Sequence, residues 1–185
     1  MKRDILAVLS GAVAAVSALG LALSSCVGDG GSEVYACPSE EVFTGRWPDG
    51  GPPGASVSEY MARRCGTLDC HGSELRPMRL YGQYGLRDPA ESNVSGGKAT
   101  TLAELEANYA AVCSQEPEKT AKAVDDVGQS AEKLLVVQKA RGAEAHKGGA
   151  VVKQNSPGDQ CVAGWLRGDD APLVAAACQT AIDGL

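Results

Sequence analysis

Two thiols and an imidazole stand within seven residues of one another at Cys65-Gly66-Thr67-Leu68-Asp69-Cys70-His71, with Gly72 next. A cluster of this kind closes on itself as a small disulfide loop or is committed to a prosthetic group. A covalently attached c-type haem requires this set: two cysteines to form thioethers with the vinyl groups and a neighbouring histidine to ligate iron. The usual spacing is C-x-x-C-H, whereas four residues separate the cysteines here. The competing reading is a local Cys65–Cys70 disulfide with His71 as an ordinary surface residue.

The N-terminus says where such chemistry takes place. Lys2 and Arg3 precede an apolar run from Ile5 to Leu23 interrupted only by Gly, Ser and Ala. A positive start, an apolar middle and small residues at the end are the pattern of a signal peptide. Leu23-Ser24-Ser25-Cys26 resembles a bacterial lipobox, in which cleavage leaves Cys26 as the acylated first residue. Residues 1–25 are therefore expected to be a lipoprotein signal peptide and Cys26 the lipid anchor. Val27, rather than Asp, after that cysteine points to sorting toward the outer membrane. Several acyl chains, palmitate among them, hold a chain to a membrane firmly, because two already exceed reversible binding. The expected location is the bacterial cell envelope, as an outer-membrane lipoprotein facing the periplasm or the surface.

The 185-residue chain has a net charge of −6, and loss of Lys2, Arg3 and Asp4 with the signal leaves it one unit more acidic. Such a balance argues against nucleic acid as a partner, since phosphates demand basic patches. It could steer a basic redox partner protein. Six cysteines remain beyond Cys26, at 37, 65, 70, 113, 161 and 178. In an oxidising compartment an even set suggests pairing. If haem takes Cys65 and Cys70, the other four still pair evenly, so parity does not separate the two readings.

From residue 27 to 55 the chain is rich in Gly, Pro, Ser and acid, as in VGDGGSEV and PDGGPPGAS. We expect residues 26–55 to be a lipid-anchored tether, with Cys37 able to pin its middle to the domain. A helical domain then fills 56–185. Ser56-Val57-Ser58-Glu59 is a capping-box pattern opening a short helix that runs into Cys65. Thr101 with Glu104 opens another, with Leu102, Leu105, Tyr109 and Val112 at helical spacing and Cys113 on its last turn. Residues 115–126 are weakly helical, and 130–140 form a better helix stopped by Gly142. His146-Lys147-Gly148-Gly149 reads as a loop. Residues 159–167 and 173–182 form two terminal helices joined by a short turn, which brings Cys161 and Cys178 together as a disulfide. Cys37–Cys113 is then the second bridge, one of three possible pairings of those four cysteines. No segment alternates long enough for a strand, so the fold class is all-α, disulfide-stapled, with irregular loops. Aromatic residues are only 4% of the chain, which predicts a modest core that a buried porphyrin would complete.

Four pieces occur in order: RRCGTLDCHG, RLYGQYGLRD, EKLLVVQKARGAEAHKGG and QCVAGWLRGD. Together they resemble the planctomycete-type cytochrome c domain, which also occurs in bacterial lipoproteins, over residues 56–168. The C-x4-C-H spacing departs from that pattern by two residues and is similar to spacings in some multihaem cytochromes. The resemblance implies a small c-type-cytochrome-like helical domain with covalent haem c on Cys65 and Cys70 and His71 as proximal ligand. For the sixth position, thioether sulfur and imidazole are the usual partners of haem iron, which limits the choice to Met61, Met78 and His146. Met61 lies on the helix leading into the motif and reaches the opposite face with difficulty. Met78 is seven residues from His71, at most about 25 Å of extended chain. His146 has ample chain and Gly-flanked backbone that can approach a flat ring closely, so it is the expected ligand, with Met78 the alternative. Arg76, Arg79 and Lys147 could pair with propionates. The function expected is electron transfer by a membrane-tethered monohaem protein with no enzymatic substrate of its own, through a redox partner the sequence does not name. The alternatives are a haem-free structural or binding lipoprotein with three disulfides, and a zinc site built from Cys65, Cys70, His71 and His146.

Overall fold

The computed structural model describes residues 35–185 apart from 48, 52 and 53. The signal peptide 1–25 and the anchor Cys26 lie outside the described residues. Seven α-helices follow one another: α1 Glu40–Thr44, α2 Val57–Arg64, α3 Leu102–Cys113, α4 Pro117–Asp125, α5 Leu135–Ala140, α6 Pro157–Arg167 and α7 Ala171–Asp183. Among the described residues there is no strand, only an isolated bridge between Tyr81 and Leu86. The all-α class expected from the sequence is what forms. No described helix is long and apolar enough to cross a membrane.

Local chemistry sets the helix starts. The Ser56 hydroxyl accepts the Glu59 N–H at 3.0 Å to open α2. Thr101 and Glu104 form a reciprocal capping box on α3. Ser156 caps α6, with Pro157 at its first position. Gly168 closes α6 in the left-handed conformation at φ +75°, and the chain turns directly into α7. That turn sets α6 and α7 side by side and joins them through Cys161–Cys178, while Cys37–Cys113 forms the second bridge.

Two expectations are corrected. The segment 130–140 is not one helix: residues 131–133 form a 3-10 turn, Leu134 is extended (φ −69°, ψ 139°), and α5 begins after it. Leu134 is 2% exposed, and the Glu116 carboxylate accepts the Leu135 N–H as the cap of α5. Burial of Leu134 and a cap from a distant residue outweigh local helix preference. The second correction concerns the tether, because its described part packs against the helical domain before Ser56 is reached, through Cys37, Val42 and Phe43. Phe43 is fully buried, with its ring 4.7 Å from Trp165 and 5.6 Å from Tyr109. The backbone just before it is gripped as well. Trp165 Nε1 donates to the Ser39 carbonyl and the Tyr109 hydroxyl to the Pro38 carbonyl, both at 2.9 Å. Gly and Pro dominate the segment's composition, but one buried Phe and one disulfide decide its fate.

The core runs through Phe43, Tyr60, Met61, Leu80, Leu134, Val162, Trp165 and Leu166. A second, polar knot fixes the long connection between α2 and α3. There Arg87 and Glu104, both buried, form a bidentate pair at 2.8 Å. Arg87 also donates to the Lys98 and Ala99 carbonyls, and Glu104 accepts the Asp88 and Thr101 N–H groups. Every charge is thus met by hydrogen bonds, the condition under which a buried pair is tolerated.

Candidate cofactor site

The chain from Cys65 to Leu80 leaves the end of α2 and folds back on itself. The His71 N–H donates to the Cys65 carbonyl at 2.9 Å, and the His71 carbonyl accepts the Leu80 N–H at 2.8 Å. Gly72 is required by close approach: a Cβ there would stand 2.1 Å from the Gly66 carbonyl oxygen. The extra length between the cysteines is accommodated in the exposed residues Thr67, Leu68 and Asp69. The imidazole of His71 is then fixed by a third bond, Nδ1 to the Met78 carbonyl at 3.0 Å. A carbonyl only accepts, so Nδ1 carries the proton and Nε2 is left as the free lone pair.

Opposite it comes the loop after α5. Val151 and Val152 both donate to the Ala140 carbonyl at 2.9 Å, closing the loop at its base. Arg64 of α2 grips the same base, with Nε and Nη2 on the Val151 carbonyl at 3.0 and 2.7 Å. Within the loop, His146 Nδ1 lies 3.2 Å from the Gly149 carbonyl, the same backbone partnership as at His71. The two rings face each other with centroids 5.9 Å apart and planes 14° from parallel. An imidazole binds a metal through a nitrogen lone pair lying in the plane of its ring, at about 2.0–2.1 Å, and with Nδ1 committed to a carbonyl the Nε2 atom is the donor each ring has to offer. A second-shell carbonyl on the far nitrogen is the usual companion of a metal-bound histidine.

These rings line one cleft with Cys65, Tyr60, Met61, Met78, Leu135, Val136, Ala140, Val151, Val152 and Val162. Its walls are apolar apart from the histidines, Tyr60, Cys65, Gln115 and Lys139. Cys65 and Cys70 are free thiols. Burial pushes the Cys65 thiol up to about 11, opposed by Arg64 and reinforced by Cys70, which keeps it protonated. Burial lowers the His71 pKa from its ordinary value. The Met78 hydrogen bond opposes that shift, while His146 and Arg76 reinforce it. Neutral imidazole is the form that binds metal.

The structure therefore brings together Cys65, His71, Met78 and His146, and sets Met61 beside them. Cys70 is half-buried and outside the lining. The side chains suggested for propionates, Arg76, Arg79 and Lys147, are also outside the lining, where Lys139 is the cation present. Sequence reasoning missed the valines at 136, 151, 152 and 162, whose part follows only from how three separate segments meet. It also missed Arg64, whose adjacency to Cys65 was the available signal. Among the described residues no group of three or more His, Cys, Asp or Glu side chains could hold a bare metal ion. Four-ligand zinc coordination by Cys65, Cys70, His71 and His146 is accordingly not formed, and neither is a third disulfide.

The residues fit a haem in donor type, tautomer and wall chemistry. The cleft, at about 100 Å³, is smaller than a porphyrin, so seating one requires a wall to give. The loop carrying His146 is the wall least held. Residues 142–145 and 147–150 are exposed, and Gly142 and Gly149 take left-handed φ of +73° and +65°. No family model, curated protein or solved structure matches the chain.

Proposed function

We propose that this chain is a membrane-tethered, monohaem c-type cytochrome-like lipoprotein that transfers single electrons at the cell envelope. The observation that carries the reading is the pair of near-parallel imidazoles 5.9 Å apart. Each is tautomerised by a backbone carbonyl, in an apolar cleft that also holds a free thiol of the motif. Cys65 and Cys70 would form the thioethers, His71 would be the proximal ligand and His146 the distal one, with Cys26 acylated at the membrane. The haem, when bound, supplies a one-electron iron couple whose potential is set by axial ligands, burial and nearby hydrogen bonds. The protein's part is to hold both imidazoles by their Nδ1 atoms on backbone carbonyls, to exclude water with Val136, Val151, Val152 and Val162, and to anchor the macrocycle.

The test is expression of the full chain with a c-type maturation system, followed by a pyridine haemochrome spectrum and an intact mass. Covalent haem adds its mass to the polypeptide and gives a Soret band. A colourless protein with the bare polypeptide mass, despite competent maturation, would refute the proposal.

A further inference from the structure

The chain's net charge is −6, yet its charges are segregated. Residues 63–79 and 133–153, the two stretches that carry His71 and His146, hold nine of the 17 basic side chains and three of the 23 acidic ones. The remainder of the chain is correspondingly more acidic. Arg63 and Arg141 are neutralised, the first by Glu59 and the second by Glu132 and Asp159. The other seven form no ion pair with a carboxylate in any described contact, and five of them stand in the cleft wall or beside the segments that line it. Lys139 lines it, and Arg76 lies against the loop that carries His71, donating to the Cys70 and Asp69 carbonyls at 3.3 Å. Lys147 follows His146 in the exposed loop. Arg64 and Lys153 border an open groove that shares Val151 and Val152 with the cleft wall. Arg64, Lys147 and Lys153 are all exposed. The acids of these stretches are Asp69, Glu74 and Glu144, and Glu132 borders the groove but is held by Arg141 and Arg167.

Screening decides which charge a partner meets. At about 0.1 M salt the Debye length is about 10 Å, so a body approaching the cleft responds to its rim and not to the far side of the domain. We propose that this basic collar is the docking surface of an acidic partner protein, brought against the cleft by electrostatic steering. It goes beyond the electron-transfer reading, on which it rests for its purpose but not for its test. The sign is opposite to the one that net charge suggests.

Two measurements on the full chain separate the collar from the haem. In the first, a poly-L-glutamate peptide is titrated into labelled protein and amide shifts are followed. The expected result is shifts centred on residues 64, 76, 139, 147 and 153, lost in Lys147→Glu/Lys153→Glu and kept in the control Lys119→Glu/Lys122→Glu on α4. This arm reads the collar whether or not haem is attached, so failure of the haem reading appears only as a missing Soret band. The second is stopped-flow oxidation of the reduced haem protein by hexacyanoferrate(III), which takes one electron. Its rate should fall with rising ionic strength, and drop on the order of tenfold at low salt in the 147/153 variant. A rate that rises with salt, or peptide shifts scattered away from the cleft, overturns the proposal. So does tight binding to vesicles rich in anionic phospholipid that the 147/153 variant abolishes without any peptide binding, which would make the collar a membrane contact.

Discussion

Replacing both Cys37 and Cys113 by Ala removes the bridge that holds the α1 segment to α3. The residues are 76 apart in sequence, against 17 for Cys161–Cys178. Loop-closure entropy makes the longer bridge worth about 4.5 kcal/mol and the shorter about 3 kcal/mol at room temperature. For a domain of this size each kcal/mol moves the midpoint by about 2–4 °C, so the 37/113 variant should melt roughly 9–18 °C lower. The loss is not confined to the unfolded state, because residues 38–44 supply Phe43 and two backbone acceptors to Trp165 and Tyr109. α1 packs on α2, the helix that ends at Cys65. Urea unfolding of both double variants and the parent, under oxidising conditions, yields midpoints and slopes. The reasoning fails if the 37/113 variant loses less stability than Cys161→Ala/Cys178→Ala, or if its midpoint matches the parent's. Either result would mean that residues 35–55 behave as the tether their composition suggests.

Three further outcomes are expected. In haem-loaded protein, His146→Ala should give a high-spin spectrum that admits carbon monoxide or cyanide readily, whereas His71→Ala should lose stable haem and Met78→Ala should change the spectrum little. A sulfur-to-iron charge-transfer band lost in Met78→Ala would reverse that assignment. Glu104→Gln, which leaves the buried Arg87 guanidinium without its counter-charge, should cost about 3–5 kcal/mol in urea unfolding. Burial pushes the Glu104 pKa up, but the hydrogen bonds from Arg87, Thr101 and Asp88 outweigh it and hold it below the usual carboxylate value. Its stabilisation is therefore complete above the ordinary carboxylate range and is lost as pH falls through the depressed folded value. Acid unfolding should shift to higher pH in a variant with a weaker Arg87 contact, Arg87→Lys. Cys26→Ala should move the protein from the detergent phase to the aqueous phase on Triton X-114 partitioning, and an unchanged partition with an unchanged mature N-terminus would refute the lipobox reading.

Helices announced themselves where the start signal was local. Ser56 and Thr101 each cap within three residues of their own helix, and both caps form. The break at Leu134 was invisible for the opposite reason: its cap comes from Glu116, and its driving force is burial against helices formed elsewhere. Phe43 illustrates the same limit. A single aromatic in a Gly- and Pro-rich run carries no periodicity, so its burial is decided by Tyr109 and Trp165, residues 66 and more positions away.

For the candidate site, the donor atoms were legible because His, Met and Cys are few and chemically distinct. Their alignment was not, since it depends on the Met78 and Gly149 carbonyls, and backbone acceptors leave no mark in a sequence. The C-x4-C-H spacing is the instructive case. Read as a string, two extra residues threaten the register between thiols and imidazole. In three dimensions the register is set by the His71 N–H on the Cys65 carbonyl and by the contact that only Gly72 permits against Gly66. The surplus chain is expelled as exposed Thr67, Leu68 and Asp69. What the motif must conserve physically is therefore the closure of the loop and the aim of the imidazole, and both are compatible with the longer spacing. The cost falls on Cys70, which the longer loop leaves outside the cleft while Cys65 remains within it, so attachment through Cys70 is the step that demands movement.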